Sequence, residues 1–248
     1  MNILLTNDDG VFAPGIAELG RQLLEKGYNV TIVAPEKQNS GKSHAITLMK
    51  KLIVKKVHIE EINLDAYSVS GTPADCVRAA LEIYGNKFDY CFSGCNLGYN
   101  AGMDILYSGT VSAAIEANVF RIPSIAVSAQ YNRENTNYKT ASKVAIEIFE
   151  KVHSQINDAI VLNVNAPKLE YEDLKGIKTC KIGGSVMDKY TTFKIENGYS
   201  LELHGRNKSE NKENTDRHYL ENGYATVTPL LYDLTSDSLL KSLREYMK

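Results

Sequence analysis

The sequence predicts an α/β chain: a Rossmann-like, mainly parallel sheet flanked by helices, then a C-terminal extension of hairpins and a terminal helix. Two observations carry this reading. Short β-branched runs alternate with helical periodicities through the first part of the chain, the pattern of strand–crossover–strand units. Beyond Pro167 the alternation stops and polar stretches appear. The 248 residues are read as one domain, with a core over about 1–167 and an extension over about 168–248.

Each element follows from local chemistry. Ile3, Leu4 and Leu5 form an apolar run ended by Asp8-Asp9-Gly10, a buried strand and its turn. Ile16, Leu19, Leu23 and Leu24 share one face of a helix from Pro14 to Lys26, with Gly27 available to cap it. "NVTIVAP" (29–35) is a strand stopped by Pro35, and "QNSGKSH" (38–44) a polar loop. Residues 47–58 and 66–70 predict further strands, partly antiparallel. Thr72 at a cap position, Pro73 in the first turn and Gly85 beyond the end predict a helix over 71–85. "FDYCFSG" (88–94) is a strand followed by a glycine-rich loop and a helix from about Thr110. Strands at 122–128 and 159–165 bracket a helix at 139–153. "RNKSENKENTD" (206–216) reads as a solvated loop. In the last segment Leu239, Leu240, Leu243 and Met247 line one helix face, and Ser236 or Asp237 can cap it. A helix this short is marginal alone, so its stripe needs burial on its own subunit or on a partner.

Composition narrows the function classes. With 43% hydrophobic and 23% charged residues, the chain has the make-up of an ordinary globular protein. A net charge of −2 gives no footprint for gripping long nucleic acid or an anionic membrane, though a small phosphorylated substrate fits. Neither a signal peptide nor a membrane-length apolar run is visible, so the expectation is a cytoplasmic protein. Cys76, Cys91, Cys95 and Cys180 lack the spacing of a zinc site and read as small hydrophobes in a reducing compartment.

In open parallel sheets, ligands bind outside the carboxyl ends of the strands. That rule gathers Asp8 and Asp9 after the first strand, Ser40 in the loop after the second, and Asn96 after the strand at 88–94. All four offer oxygen. Such a set, with two carboxylates, suits Mg²⁺ or Mn²⁺. Singly, each residue has an ordinary reading as a helix cap, turn or loop residue. Ser108-Gly109-Thr110 leads into a helix whose first amides lack internal partners, a turn able to hold phosphate or merely to cap. Neither a Walker loop nor a G-x-G-x-x-G fingerprint is present. His44 and His218 are weaker candidates, and Asn163 and Asn165 read equally well as a structural turn.

"NILLTNDDGVFAPGI", "VAPEKQNSGKSHAITL", "SVSGTPADCV", "SGCNLGYNAGMDILYSGTVSAAIEA", "IPSIAVS", "LNVNAP" and "GYATVTPL" occur in the order seen in the SurE (survival protein E) family of 5′/3′-nucleotidases, which the chain resembles from Met1 to about Leu230. The resemblance implies a SurE-like fold and a divalent-metal-dependent hydrolase of nucleoside monophosphates, in some members also of short polyphosphate. It implies one Mg²⁺ or Mn²⁺ per subunit on Asp8, Asp9, Ser40 and Asn96, with Asn100, Ser108, Gly109 and Thr110 on the phosphate side. Asp8 and Asp9 are the candidate catalytic acids, either able to take a proton from attacking water. The implied assembly is a homodimer or homotetramer joined through the C-terminal segment. Asn39 stands where the family commonly has arginine, which removes a charge contact to substrate. Met103 replaces an often polar residue, whereas Asp104 is kept. The competing reading is a receiver-like, metal-binding regulatory module, which would need an accepting aspartate near the position of Asn96.

Overall fold

The computed structural model describes residues 1–155, 160–184, 186–208 and 212–247. Strand β1 (Asn2–Thr6) buries Ile3, Leu4 and Leu5 completely, because helices cover both faces of the parallel sheet. Next come α1 (Pro14–Glu25), β2 (Asn29–Pro35), β3 (Val54–Ile59), β4 (Leu64–Val69) and α2 (Pro73–Tyr84). Then follow β5 (Tyr90–Leu97), α3 (Gly109–Val119), β6 (Ser124–Ala129), α4 (Tyr138–Val152) and β7 (Val161–Ala166). The C-terminal part holds β8 (Ile177–Thr179), β9 (Val186–Ile195), β10 (Gly198–Lys208), α5 (Asp216–Glu221), β11 (Ala225–Leu230) and α6 (Asp237–Tyr246).

The main sheet runs β3-β4-β2-β1-β5-β6-β7-β11-β8, parallel except at β3–β4 and β7–β11. Helices α1 and α4 pack on one face with Ile16, Leu19, Leu23, Val144 and Phe149. On the other face Val77, Ala80, Ala113 and Ala117 of α2 and α3 meet Leu4, Val33 and Cys91. The chain order reverses between β1 and β5, so the crevice at their carboxyl ends is the natural ligand position.

Several expectations are corrected here. The strand expected at 47–58 begins only at Val54, because the preceding residues are tied down as a loop: Ile53 N donates to Ser70 Oγ at 2.9 Å and Thr47 bonds to Asp75. Strand β5 runs past 94 to Leu97 through a bulge, with Ser93 opposite Ala126 but Asn96 opposite Ser128. The extra residue reverses the alternation of side chains and re-aims the end of the strand. Residues 206–208 continue the β9–β10 hairpin and Asp216 opens α5, so the solvated loop is shorter than 206–216; residues 209–211 lie outside the described residues. Residue 159 of the strand expected at 159–165 also lies outside them. The sheet does not stop at 167: β11 and β8 return to its edge. Among the described residues of α6 none is buried.

Asp75 shows how loop and helix are joined. It completes a capping box with Thr72 and also accepts from Thr47 N at 3.0 Å and Thr47 Oγ1 at 2.7 Å. Burial opposes ionisation of this carboxyl, but the Thr47 and Thr72 bonds prevail and hold its pKa below the usual value. Asp75→Ala is therefore expected to destabilise the chain by about 2 kcal/mol, measured by urea unfolding, and to raise hydrogen exchange in the 45–53 loop.

Candidate active site

Two adjacent carboxylates at the end of a core strand repel each other, and a buried one is costly unless something faces it. What faces Asp8 is the first turn of α3. Asp8 is 3% exposed, and its Oδ1 accepts the hydroxyl proton of the fully buried Thr110. Gly109 permits this approach: a Cβ there would lie 2.8 Å from the Asp8 Cβ. Burial raises the Asp8 pKa to about 6; the Thr110 hydroxyl opposes the rise, the Asp9 charge adds to it, and the amides of Asp8 and Thr110 also favour the ionised form.

Asp9 is half-buried. Its Oδ2 accepts from Leu97 N at 2.9 Å and its Oδ1 from Gln38 Nε2 at 3.4 Å; burial lifts its pKa despite both bonds. The same Gln38 nitrogen donates to Ser40 Oγ at 3.1 Å, which brings the exposed Ser40 loop to the acidic pair. Asn39 N donates to Asp8 O at 2.7 Å. Asn96 is buried beside Leu97, and its Nδ2 donates to Gly98 O at 2.8 Å. The amide oxygen is thus the end available to a cation.

The phosphate-side residues divide. Ser108 is the N-cap of α3, its Oγ accepting from Val111 N at 3.0 Å. Thr110 donates its hydroxyl proton to Asp8 and so orients that acid. Asn100 is also turned to internal work. Its Nδ2 donates to Ser128 Oγ at 2.9 Å, its N donates to Asn165 Oδ1 at 2.9 Å, and its O accepts from Asn163 at 2.8 Å and Asn165 at 3.0 Å. What the turn offers an anion is the amides of its first residues, which have no partner within the helix.

His44 is drawn away from the acids: its Nε2 lies 2.6 Å from Glu116, a buried carboxylate also bonded by Arg78. Burial works against charge on Glu116, yet these two partners hold its pKa below the usual value. Sequence reasoning missed Gln38 and Ser128, and undervalued Asn163 and Asn165. An amide two residues before the Ser40-Gly41 pair, and two asparagines facing one side of a strand, were the available signals.

The donor chemistry fits a hard divalent cation. Asp8, Asp9, Ser40 and Asn96 supply oxygen only. Among the described residues no three His, Cys, Asp or Glu side chains cluster in a way that could hold a metal, so the set depends on its neutral oxygens to complete it. A recess of about 400 Å³ opens beside Asp9 between Phe12, Pro14, Gln38, Leu97 and Tyr138. A larger, mainly apolar cavity of about 690 Å³ lies against Val111 and Ile115 of α3 and includes none of the proposed ligands.

The profile described as Survival protein SurE matches residues 3–189. The chain belongs to the SurE family. Among relatives, "5'-nucleotidase SurE" of Clostridium botulinum (strain 657 / Type Ba4) is 46% identical over 250 residues, covering 99% of this chain and 98% of that protein. The protein of the same description from Clostridium tetani (strain Massachusetts / E88) is 44% identical over 99% of this chain and all of its own length. The crystal structure of the SurE protein from Aquifex aeolicus superposes with a TM-score of 0.83 at 36% identity, covering 100% of both chains. The fold is thus that of the family along the whole chain, including the C-terminal part outside the profile match.

The environment of Asp8 has a pH signature. Its folded pKa lies above the unfolded value near 3.8, so the protonated form contributes stability below that value, and the contribution is lost as pH rises through about 6. In metal-free protein this costs on the order of 3 kcal/mol by pH 7.5. Asp8→Asn is expected to remove that loss and to unfold at higher urea than the wild type at pH 7.5 in chelator, with the two converging at pH 4.

Proposed function

We propose that this chain is a divalent-metal-dependent 5′-nucleotidase, hydrolysing nucleoside 5′- and 3′-monophosphates to nucleoside and phosphate, with short polyphosphate as a further substrate. The observation that carries the reading is the meeting of an aspartate pair, Asp8 buried and Asp9 half-buried, and a helix N-terminus at the switch point of the sheet. Asp8, Asp9, Ser40 and Asn96 would hold one Mg²⁺ or Mn²⁺ per subunit. When bound, such a cation supplies charge neutralisation to phosphoryl oxygens and acidifies water.

The protein's own groups provide the rest. The Gly109 amide faces charge developing on the phosphoryl group, and the Ser108 hydroxyl keeps a proton to donate, while the Thr110 amide serves Asp8. Thr110 fixes the Asp8 carboxylate in one orientation. Asp9 is the more open acid and takes the proton of the attacking water. Asn96 occupies the position at which a receiver-like module needs its accepting aspartate, which favours hydrolysis over that reading.

No helix among the described residues is long and apolar enough to cross a membrane. A small-molecule substrate and a cytoplasmic setting complete the proposal. The exposed stripe of α6, with Leu239 63% and Leu243 57% accessible, supports assembly into a homodimer or homotetramer.

Phosphate release from nucleoside monophosphates is expected to vanish on exhaustive chelation and return with Mn²⁺ or Mg²⁺; full turnover at negligible metal content would reject the metal-dependent reading. Ending the chain at Thr235 is expected to lower the assembly mass in light scattering. An unchanged mass for the folded truncation would exclude α6 as an essential link.

A further inference from the structure

The 3₁₀ turn Gly102–Tyr107 stands between three parts of the site. It follows the loop from Asn96, it leads directly into Ser108 and α3, and its last residues carry the Ser40 loop. Ser43 N donates to Tyr107 O at 3.1 Å and Ser43 Oγ to Leu106 O at 2.7 Å. Any shift of this turn moves Asn96, Ser40 and the helix amides relative to one another.

The start of the turn is gripped from the far end of the chain. Asp216, fully buried, accepts three backbone N–H groups at 2.7 Å each: Gly102 on Oδ2, Gly183 and Arg217 on Oδ1. Arg217 donates through Nη2 to Ala101 O at 2.7 Å and to Asp104 Oδ2 at 2.9 Å. Gly102 has a φ of +61°, and a Cβ there would lie 2.5 Å from Arg217 Nε and 2.6 Å from Gly184 O. The fit leaves no room for a side chain at this position. A buried carboxylate with three amide donors is strongly held, and losing it strands those amides.

We propose that Asp216 and Arg217 are positioning residues for the hydrolysis: from the C-terminal extension they fix the turn that spaces the metal ligands from the phosphate-binding amides. This rests on the nucleotidase reading above. Both act through the turn, Asp216 on the Gly102 backbone amide and Arg217 on the Ala101 carbonyl and the Asp104 carboxylate.

The test uses full-length Asp216→Asn and Arg217→Gln, with hydrogen exchange, Mn²⁺ calorimetry and steady-state kinetics on the folded fraction. In Asp216→Asn, exchange at 98–104 is expected to accelerate while Ile3–Leu5 stays protected, and Mn²⁺ affinity and turnover to fall by about tenfold. Arg217→Gln should move the same readouts less, and Arg217→Lys should recover part of the loss. A purely structural role would lower the melting temperature yet leave Mn²⁺ affinity and turnover per folded chain at wild-type values; that result overturns the proposal. If Asp216→Asn does not fold, wild-type exchange and Mn²⁺ binding in Arg217→Gln overturn it equally. Wild-type protein that binds no Mn²⁺ would instead defeat the metal reading, and the exchange data would still decide whether the clamp exists.

Discussion

Everything at the site is arranged around one unfavourable act, the placing of the Asp8 carboxylate inside the protein. It is tolerated because the first turn of α3 meets it with a hydroxyl and an amide, and because Gly109 has no side chain to keep the two apart. This contact ties the start of α3 to the end of β1, beside the packing of Ala113 and Ala117 on Leu4. It also sets the electrostatic character of the crevice. The positive end of the helix is turned on an internal acid, and hydroxyl, amide and backbone groups rather than cationic side chains face the acid pair.

Around that contact the acid pair and its loops are held by amides rather than by charged side chains. Gln38 bridges Asp9 and Ser40, Asn96 is fastened to Gly98, and Asn100 is netted by Ser128, Asn163 and Asn165. Neutral groups of this kind hold loops in place without adding to the repulsion between Asp8 and Asp9. The arrangement gives rigidity to loops that would otherwise be the most variable part of a doubly wound sheet.

Much of this was legible in the amino-acid order. The alternation of strands and helices was visible because parallel strands buried on both faces are nearly continuous apolar runs, as in Ile3–Leu5 and "IPSIAVS". Asp8, Asp9 and the S-G-T turn could be placed at one edge by topology alone. The contact between them could not: Thr110 looked like a phosphate ligand because a hydroxyl at a helix start suits either partner, and only packing shows that Asp8 takes it. The 45–53 segment misled for a similar reason. Its apolar residues have strand character, but Asp75 captures Thr47 across 28 residues, a tertiary bond that no local pattern announces. Asp216 lies in a polar stretch and gives no hint of the glycine amides it will meet.

The bond from Gly102 to Asp216 joins residues 114 apart, and β11 inserts beside β7 only after the hairpin has been traversed. A chain emerging from the ribosome therefore has β1, β5 and α3 in hand while the carboxylate that fastens the turn between them has yet to be made. The sheet is an early product of synthesis and the finished geometry of the crevice a late one. Loss of the last segment, whether by premature termination or by a protease cutting before Asp216, would leave a chain that still carries both acids but lacks the fastening that sets their surroundings.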